Sequence, residues 1–369
     1  MKVLHCIPGM GGGGAERQLA YLAAPLTACG WSVDVALGTG GPNLARLTAG
    51  GAAVHRLTAA GNHDPRLAWQ LVRLIRRVRP DVVQVWFVQM DVLGGIAAEV
   101  AGTPWVMSER SSEEAYPASL KNRARVFLAR RADAIVSNSS AGEAYWRTRA
   151  PRVPRFVIPN ALPLDEIDAT SASVPADVPV SPDDSVVLFA GRFGPEKNVG
   201  TLVTAMREVV KRPRTVAVLC GDGPLRYRLQ AEIADARLAD RILTPGYVTD
   251  LWPLMKRADV IVSIGLFEGH PNTVLEAMAS ARPLVVSDIP AHRAVLDDRS
   301  AFWVDSRDPA GVARTLICVL DHPDEAAARA TAARSRIAAS SIDHAAAQYD
   351  RVYRGVLTKR SSTRAEGAL

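Results

Sequence analysis

Short apolar runs alternate with stretches whose apolar residues recur at helical spacing, and the alternation starts at once. KVLHCI reads as a strand, and Ala15 to Cys29 follows as a helix with Leu19, Leu22 and Leu26 on one face. Gly30 is placed to stop that helix. WSVDVAL comes next, then a helix carrying Leu67, Leu71, Leu74, Ile75 and Val78, then DVVQVWF, ADAIVSNS and RFVIPN. Strand and helix in strict turn predict a parallel sheet covered on both faces.

From Asp165 to Ser185 the chain is polar and proline-rich without either period, so residues 166–185 are expected to be a linker. The alternation then restarts with SVVLFAG, a helix from Val199, TVAVLCG, a helix from Leu225, RILTPGY, ADVIVSIG, a helix from Thr273 and RPLVVSD. The expected fold class is α/β, with two doubly wound, Rossmann-like domains over residues 1–165 and 186–344. Facing each other, they would hold a ligand in a cleft at the carboxyl ends of their strands. The alanine-rich segment Asp324 to Ala347 is expected to be helical, a helix at about 345–360 to return to the first domain, and RSSTRAEGAL to fray.

A chain of 369 residues suits two domains with sizeable cores. VLHCI is cut short by Pro8-Gly9, and no uncharged apolar run approaches the ~18 residues needed to span a bilayer. A cytoplasmic location is expected. Cys6, Cys29, Cys220 and Cys318 lie too far apart in sequence for a zinc or redox pair and are expected to be buried, reduced thiols. The net charge of +6 is unevenly placed: residues 1–165 hold 19 Lys and Arg against 12 Asp and Glu. Two clusters dominate, Arg73, Arg76, Arg77, Arg79 and Lys121, Arg123, Arg125, Arg130, Arg131. Each alone suits a solvated helix face, while both in one half suggest an anionic partner, including peripheral contact with the inner face of an anionic membrane. Nucleic acid is not expected, because no aromatic residues suited to base stacking are interleaved with the cations.

The stretch FEGHPNTVLEAM follows the apolar run Val260 to Ile264, which delivers Glu268 to a sheet edge. Pro271 and Asn272 then start a helix, with Asn272 read as N-cap and Glu276 in the first turn. Free amides and the positive end of the helix dipole make this turn suited to a diphosphate held without a metal. One acid could bind ribose hydroxyls and the other a sugar. GRFGPEKNVGTLVTAM adds Arg192 and Lys197 before a helix, cations able to neutralise a departing diphosphate. Near the start, Gly9-x-Gly11-x-x-Gly14 fits a dinucleotide fingerprint, and Asp34 follows it by twenty residues, which raises an NAD-dependent oxidoreductase. Asp34, however, lies inside WSVDVAL rather than at its end. No DxD pair stands at a strand end, no cluster has metal spacing, and no G-x-S-x-G elbow or Walker loop is present.

Taken in order, these residues resemble the retaining glycosyltransferases of family 4, which have the two-domain GT-B fold. The most specific part is E-x7-E followed by a strand, EGHPNTVLEAMASARPLVVSD. GRFGPEKN, CGDGPLR, GYVTDLWPLM, VIPNALPLD and GGGGAERQLAYLA agree in order and spacing, so the likeness covers nearly the whole chain. The resemblance implies that Arg192 and Lys197 hold the donor diphosphate, Glu276 the ribose and Glu268 the donor sugar. It places Gly191, Gly223, Val248, Gly269, His270, Pro271, Asn272 and Thr273 around the donor. Gly12, Gly13, Gly14, Glu16, Gln89, Asp91 and Arg110 fall on the acceptor or phosphate-loop side. Gln89 stands where many relatives carry histidine and Ala294 where an acid often follows the Pro-x-x-Arg stretch. Gln89 can donate a hydrogen bond but cannot act as an acid or base. For Asp91, binding the acceptor and capping the following turn are both open.

The implied reaction moves a hexose from a UDP-sugar, or less readily a GDP-sugar, to a hydroxyl of a lipid-linked or saccharide acceptor, with retention and no cofactor or metal. Surface polysaccharide or glycolipid assembly would be its setting. A UDP-sugar epimerase on the same fold and a non-catalytic sugar-nucleotide binder are the other readings.

Overall fold

The computed structural model describes residues 1–58, 64, 66–111, 113, 116 and 119–366. It divides into two compact units, Met1–Leu162 with Ser340–Leu369, and Pro163–Ala339.

In the first unit the strands are β1 Lys2–Cys6, β2 Ser32–Leu37, β3 Ala53–Arg56, β4 Val82–Trp86, β5 Trp105–Glu109, β6 Ala134–Ser137 and β7 Arg155–Val157. The helices between them are α1 Gly14–Ala28, α2 Leu44–Ala49, α3 Arg66–Val78, α4 Phe87–Ala101, α5 Leu120–Ala129 and α6 Ser140–Arg149. Among the described residues the sheet is parallel throughout, in the order β3-β2-β1-β4-β5-β6-β7. Its central strands are buried on both faces, which is why they read as unbroken apolar runs. Gly30, at φ +88°, turns the chain out of α1 as its position suggested. Helices α3, α4 and α5 pack side by side in one layer, while α1 packs against α2 and the last helix.

In the second unit α7 Leu164–Ala169 leads into β8 Ser185–Ala190, α8 Val199–Val209, β9 Thr215–Cys220, α9 Arg226–Asp235 and β10 Ile242–Gly246. Next come α10 Trp252–Arg257, β11 Val260–Ser263, α11 Asn272–Ala279, β12 Leu284–Ser287, α12 Pro290–Arg293 and β13 Phe302–Val304. Helices α13 Pro309–Asp321 and α14 Pro323–Arg336 close the unit. The strand order β10-β9-β8-β11-β12-β13 is again parallel, and it reverses direction between β8 and β11, where Val187 pairs with Val260. Such a reversal opens a crevice at the strands' carboxyl ends.

Four expectations need correction. Cys6 and Cys220 are buried, but Cys29 is half-buried and Cys318 exposed at the end of α13. The stretch read as a linker begins inside α7, which belongs to the second unit: Ile167 is buried, and Asp168 accepts from Arg334 at 2.7 Å. The alanine-rich helix is interrupted by a 3-10 turn, Ile337–Ser340, where the chain passes back to the first unit. The final helix, α15 Ile342–Glu366, runs through most of the segment expected to fray; residues 367–369 lie outside the described residues. Its docking is specific, since Trp31 Nε1 donates to Asp350 at 2.8 Å and the Tyr353 hydroxyl donates to buried Gln84.

Candidate donor site

In the second unit the turns after β8 and β9 are in backbone contact. Gly191 N–H donates to Cys220 O at 3.0 Å, and a Cβ on Gly221, at φ +149°, would lie 1.8 Å from Gly191 O. Only glycine fits there. Gly223 continues the clasp: Phe193 N–H donates to Asp222 O at 2.9 Å, and the Phe193 carbonyl accepts from Leu225 at 3.0 Å. The chain leaving β8 is thereby fixed before it enters the 3-10 turn Pro195–Lys197, and Asn198 follows in the left-handed region at φ +55°.

This turn brings Lys197 to the loop after β11. Lys197 Nζ lies 2.7 Å from Glu268 Oε1, with the two side chains only 24% and 9% exposed. Leu266 N–H donates to Glu196 O at 2.8 Å, which ties the loop down. Thr273 Oγ1 donates to Ala190 O at 3.0 Å, so the start of α11 is held against the end of β8. Lys197, Glu268 and the head of α11 thus converge at the strand reversal. The first intrahelical bond of α11 runs from Leu275 N–H to Pro271 O at 3.0 Å. The amides of Thr273 and Val274 therefore lead the helix without an intrahelical acceptor, the arrangement that attracts an anion.

The helix itself departs from expectation. Pro271 is the N-cap and Asn272 the first helical residue, because Asn272 N–H turns back to His270 O at 3.1 Å. Glu276 falls in the second turn rather than the first and is buried. Arg192 reaches outward, 67% exposed and 3.9 Å from Glu196, so it is near the turn without being locked to it. Gly269 and His270 are half-buried in the same loop, and Val248 is half-buried in the turn after β10. Ala294 follows α12, whose Arg293 forks onto Asp288 at 2.7 and 2.8 Å.

One residue escaped the sequence reading. His292 on α12 is fully buried, with Nδ1 donating to Ser287 O at 2.8 Å, and Ser287 Oγ donates to Gly265 O at 2.7 Å, where the Glu268 loop begins. Burial lowers the imidazole pKa, opposed by the nearby Glu268 carboxylate. A histidine directly before Arg293 in the Pro-x-x-Arg stretch is the available signal.

The residues expected on the acceptor side all lie in the first unit. Gly12 and Gly13 lead into Gly14, the first residue of α1, and the Glu16 carboxylate folds back over Gly13, where a Cβ would lie 2.5 Å from Glu16 Oε2. Burial raises the Glu16 pKa. Gln89 is the third residue of α4, just past Phe87, whose φ of +67° marks a strained strand-to-helix joint. Arg110 is clamped: it stacks 4.2 Å over Trp86 and donates to Asn160 at 3.1 Å and to the Tyr349 hydroxyl. Next to it His5 is fully buried and accepts from Trp86 Nε1 at 3.1 Å, and burial lowers its pKa to about 3.

Asp91 answers to neither open reading. It is buried within α4, 2.6 Å from Arg125, which also donates to Glu109 at 2.9 Å. Glu109 further accepts from Trp146 at 2.9 Å and from Tyr116. Arg125 thereby leaves the surface cluster in which it was counted. Burial raises the Asp91 pKa to about 7, with Arg125 opposing. Asp34 is likewise committed, 2.6 Å from His55, and so does not mark a ribose site.

With this geometry in hand, the likenesses to known proteins are informative. The description "Glycosyl transferase 4-like domain" matches residues 13–161, and "Glycosyl transferases group 1" matches residues 173–336. The chain is 24% identical to the Escherichia coli UDP-Gal:alpha-D-GlcNAc-diphosphoundecaprenol alpha-1,3-galactosyltransferase over 70% of its own length and 71% of that protein's. It is 25% identical to the lipopolysaccharide core biosynthesis glycosyltransferase LpsD of Rhizobium meliloti, over 70% of each chain. Among solved structures, Anabaena Alr3699/HepE in complex with UDP-glucose superposes with a TM-score of 0.81 at 21% identity, over 98% of this chain and 100% of that one. The two family matches together take in most of the sequence, and the chain belongs to the group 1, family 4-like glycosyltransferases of GT-B fold.

Proposed function

We propose that the enzyme transfers a hexose from a UDP-sugar to a hydroxyl of a lipid-linked or saccharide acceptor, with retention at the anomeric carbon and without a metal. The observation that carries this reading is the 2.7 Å Lys197–Glu268 pair beside the leading amides of α11 at the strand reversal. Cation, carboxylate and amides at one point suit the two ends of a sugar diphosphate. Lys197 and the outward-reaching Arg192 hold the diphosphate. The amides of Thr273 and Val274 share the negative charge that grows as the glycosidic bond breaks. Glu268 takes the sugar hydroxyls and buried Glu276 those of the ribose. The leaving phosphate oxygen accepts the proton of the incoming hydroxyl. The acceptor class is supported by the names of two relatives, one acting on a diphosphoundecaprenol-linked sugar and one in lipopolysaccharide core assembly.

The test is UDP release from a panel of UDP-sugars in the presence of membrane lipid extract, with the product anomer read by NMR and parallel reactions containing EDTA. One donor is expected to be consumed, the product to keep the donor's configuration, and EDTA to leave the rate unchanged. An inverted product or an EDTA-dead reaction would refute the corresponding part of the reading.

A further inference from the structure

Helices α3, α4 and α5 form one layer of the first unit, and their outward faces mix arginines with large apolar side chains. Along α3 the outer row is Arg66, Trp69, Arg73 and Arg76, spaced three or four apart, with the Arg73 guanidinium 4.6 Å from the centre of the Trp69 ring. Along α5 the outer row is Leu120, Arg123 and Phe127, and Arg131 just beyond lies 5.3 Å from the centre of the Phe127 ring. Between them α4 exposes Ile96 and Val100, one turn apart. Trp69 and Phe127 are 60% and 59% exposed. No exposed carboxylate occurs on these three helices: Asp91 is buried, and Glu99 is half-buried and bonded to the Trp105 indole at 2.8 Å.

A solvated helix face accounts for the arginines but not for large apolar side chains standing among them. Trp69 and Phe127 also correct the expectation that no aromatic ring is interleaved with these cations, so RNA enters the test below as a rival ligand. Cations backed by aromatic rings, on either side of an aliphatic ridge, match the boundary of an anionic bilayer, where guanidinium groups meet lipid phosphates and rings settle at headgroup depth. We propose that the α3–α4–α5 face is a docking surface for an anionic membrane, with Trp69 and Phe127 as the inserting residues. Among the described residues no helix is long and apolar enough to cross a membrane, so contact of this kind would be peripheral. The inference does not depend on the donor reading, because vesicle binding is measured without a sugar nucleotide.

The experiment uses the full chain with vesicles of phosphatidylcholine alone or mixed with phosphatidylglycerol, at low and high salt, followed by sedimentation. Binding is expected only to the mixed vesicles and to weaken with salt. Each arginine near such a surface is worth roughly fivefold in partitioning, so replacing Arg73, Arg76 and Arg77 together by Gln should lower it roughly 100-fold. Trp69→Ala with Phe127→Ala should weaken binding while leaving the folding transition unchanged. Lipids brominated along their chains should quench Trp69 emission, isolated by comparison with Trp69→Phe. The proposal is overturned if the parent ignores anionic vesicles at low salt, or if both multiple variants bind as the parent does. It is equally overturned if polyglutamate or RNA is retained while brominated lipid leaves Trp69 emission untouched, which would assign the face to a soluble polyanion.

Discussion

Replacing Lys197 by Ala separates the structural and chemical uses of the Lys197–Glu268 pair. At 2.7 Å, and with an effective dielectric constant near 20, the attraction is about 6 kcal/mol before the cost of taking both charges out of water. Glu268 is almost wholly enclosed but Lys197 retains some water, so about 2–3 kcal/mol of net destabilisation is expected on removing the cation. For a unit the size of the second one this corresponds to a fall in Tm of roughly 5 °C, measurable by calorimetry. Transfer should suffer far more, by roughly 100- to 1,000-fold in kcat, since an electrostatic donor to the leaving diphosphate is gone. Adding Glu268→Gln to Lys197→Ala removes the stranded carboxylate and should restore most of the Tm while leaving transfer as slow or slower. The reasoning is refuted if Lys197→Ala lowers Tm yet turns over at the parent's rate per folded molecule, or if the double variant regains activity with stability.

Arg192→Ala should leave the unfolding free energy within about 0.5 kcal/mol of the parent, because the side chain is largely exposed, while slowing UDP-sugar turnover roughly tenfold in steady-state assays. Gly221→Ala places a Cβ on Gly191 O at a backbone angle alanine resists; a loss of about 3 kcal/mol or more in denaturant unfolding is expected. Asp91 has its pKa raised from 3.8 to about 7 by burial. Its contribution to stability is complete below the unfolded value and is lost as pH rises through the folded one. The stability of Asp91→Asn relative to the parent should therefore improve as pH rises from 4 to 7, read from paired urea titrations.

Much of the fold was legible because parallel strands are buried on both faces, so SVVLFA and TVAVLC announce themselves as apolar runs, and the helices between them carry their own period. The elements of the donor site were legible for the same reason: a strand end fixes where Glu268 emerges, and a glycine turn where Lys197 follows. What escaped were pairings between distant residues. Nothing around Asp91 shows that Arg125, thirty-four residues on, will reach it inside the core, so in sequence alone an acceptor ligand and a turn cap fit it equally. His292 was hidden in the same way, since its burial depends on packing across several elements rather than on its neighbours in sequence. The one-residue shift of the N-cap from Asn272 to Pro271 reflects a local bond to His270 that propensity alone does not encode.

The central claim is that a sugar diphosphate is held at the β8–β11 reversal by Lys197 and the head of α11. A crystal structure with UDP tests it most directly. The expected result is a phosphate within hydrogen-bonding distance of Lys197 Nζ and of the Thr273 or Val274 amide, with the ribose at Glu276. UDP bound elsewhere, or bound there with Lys197 still turned only to Glu268 and the amides untouched, would contradict it.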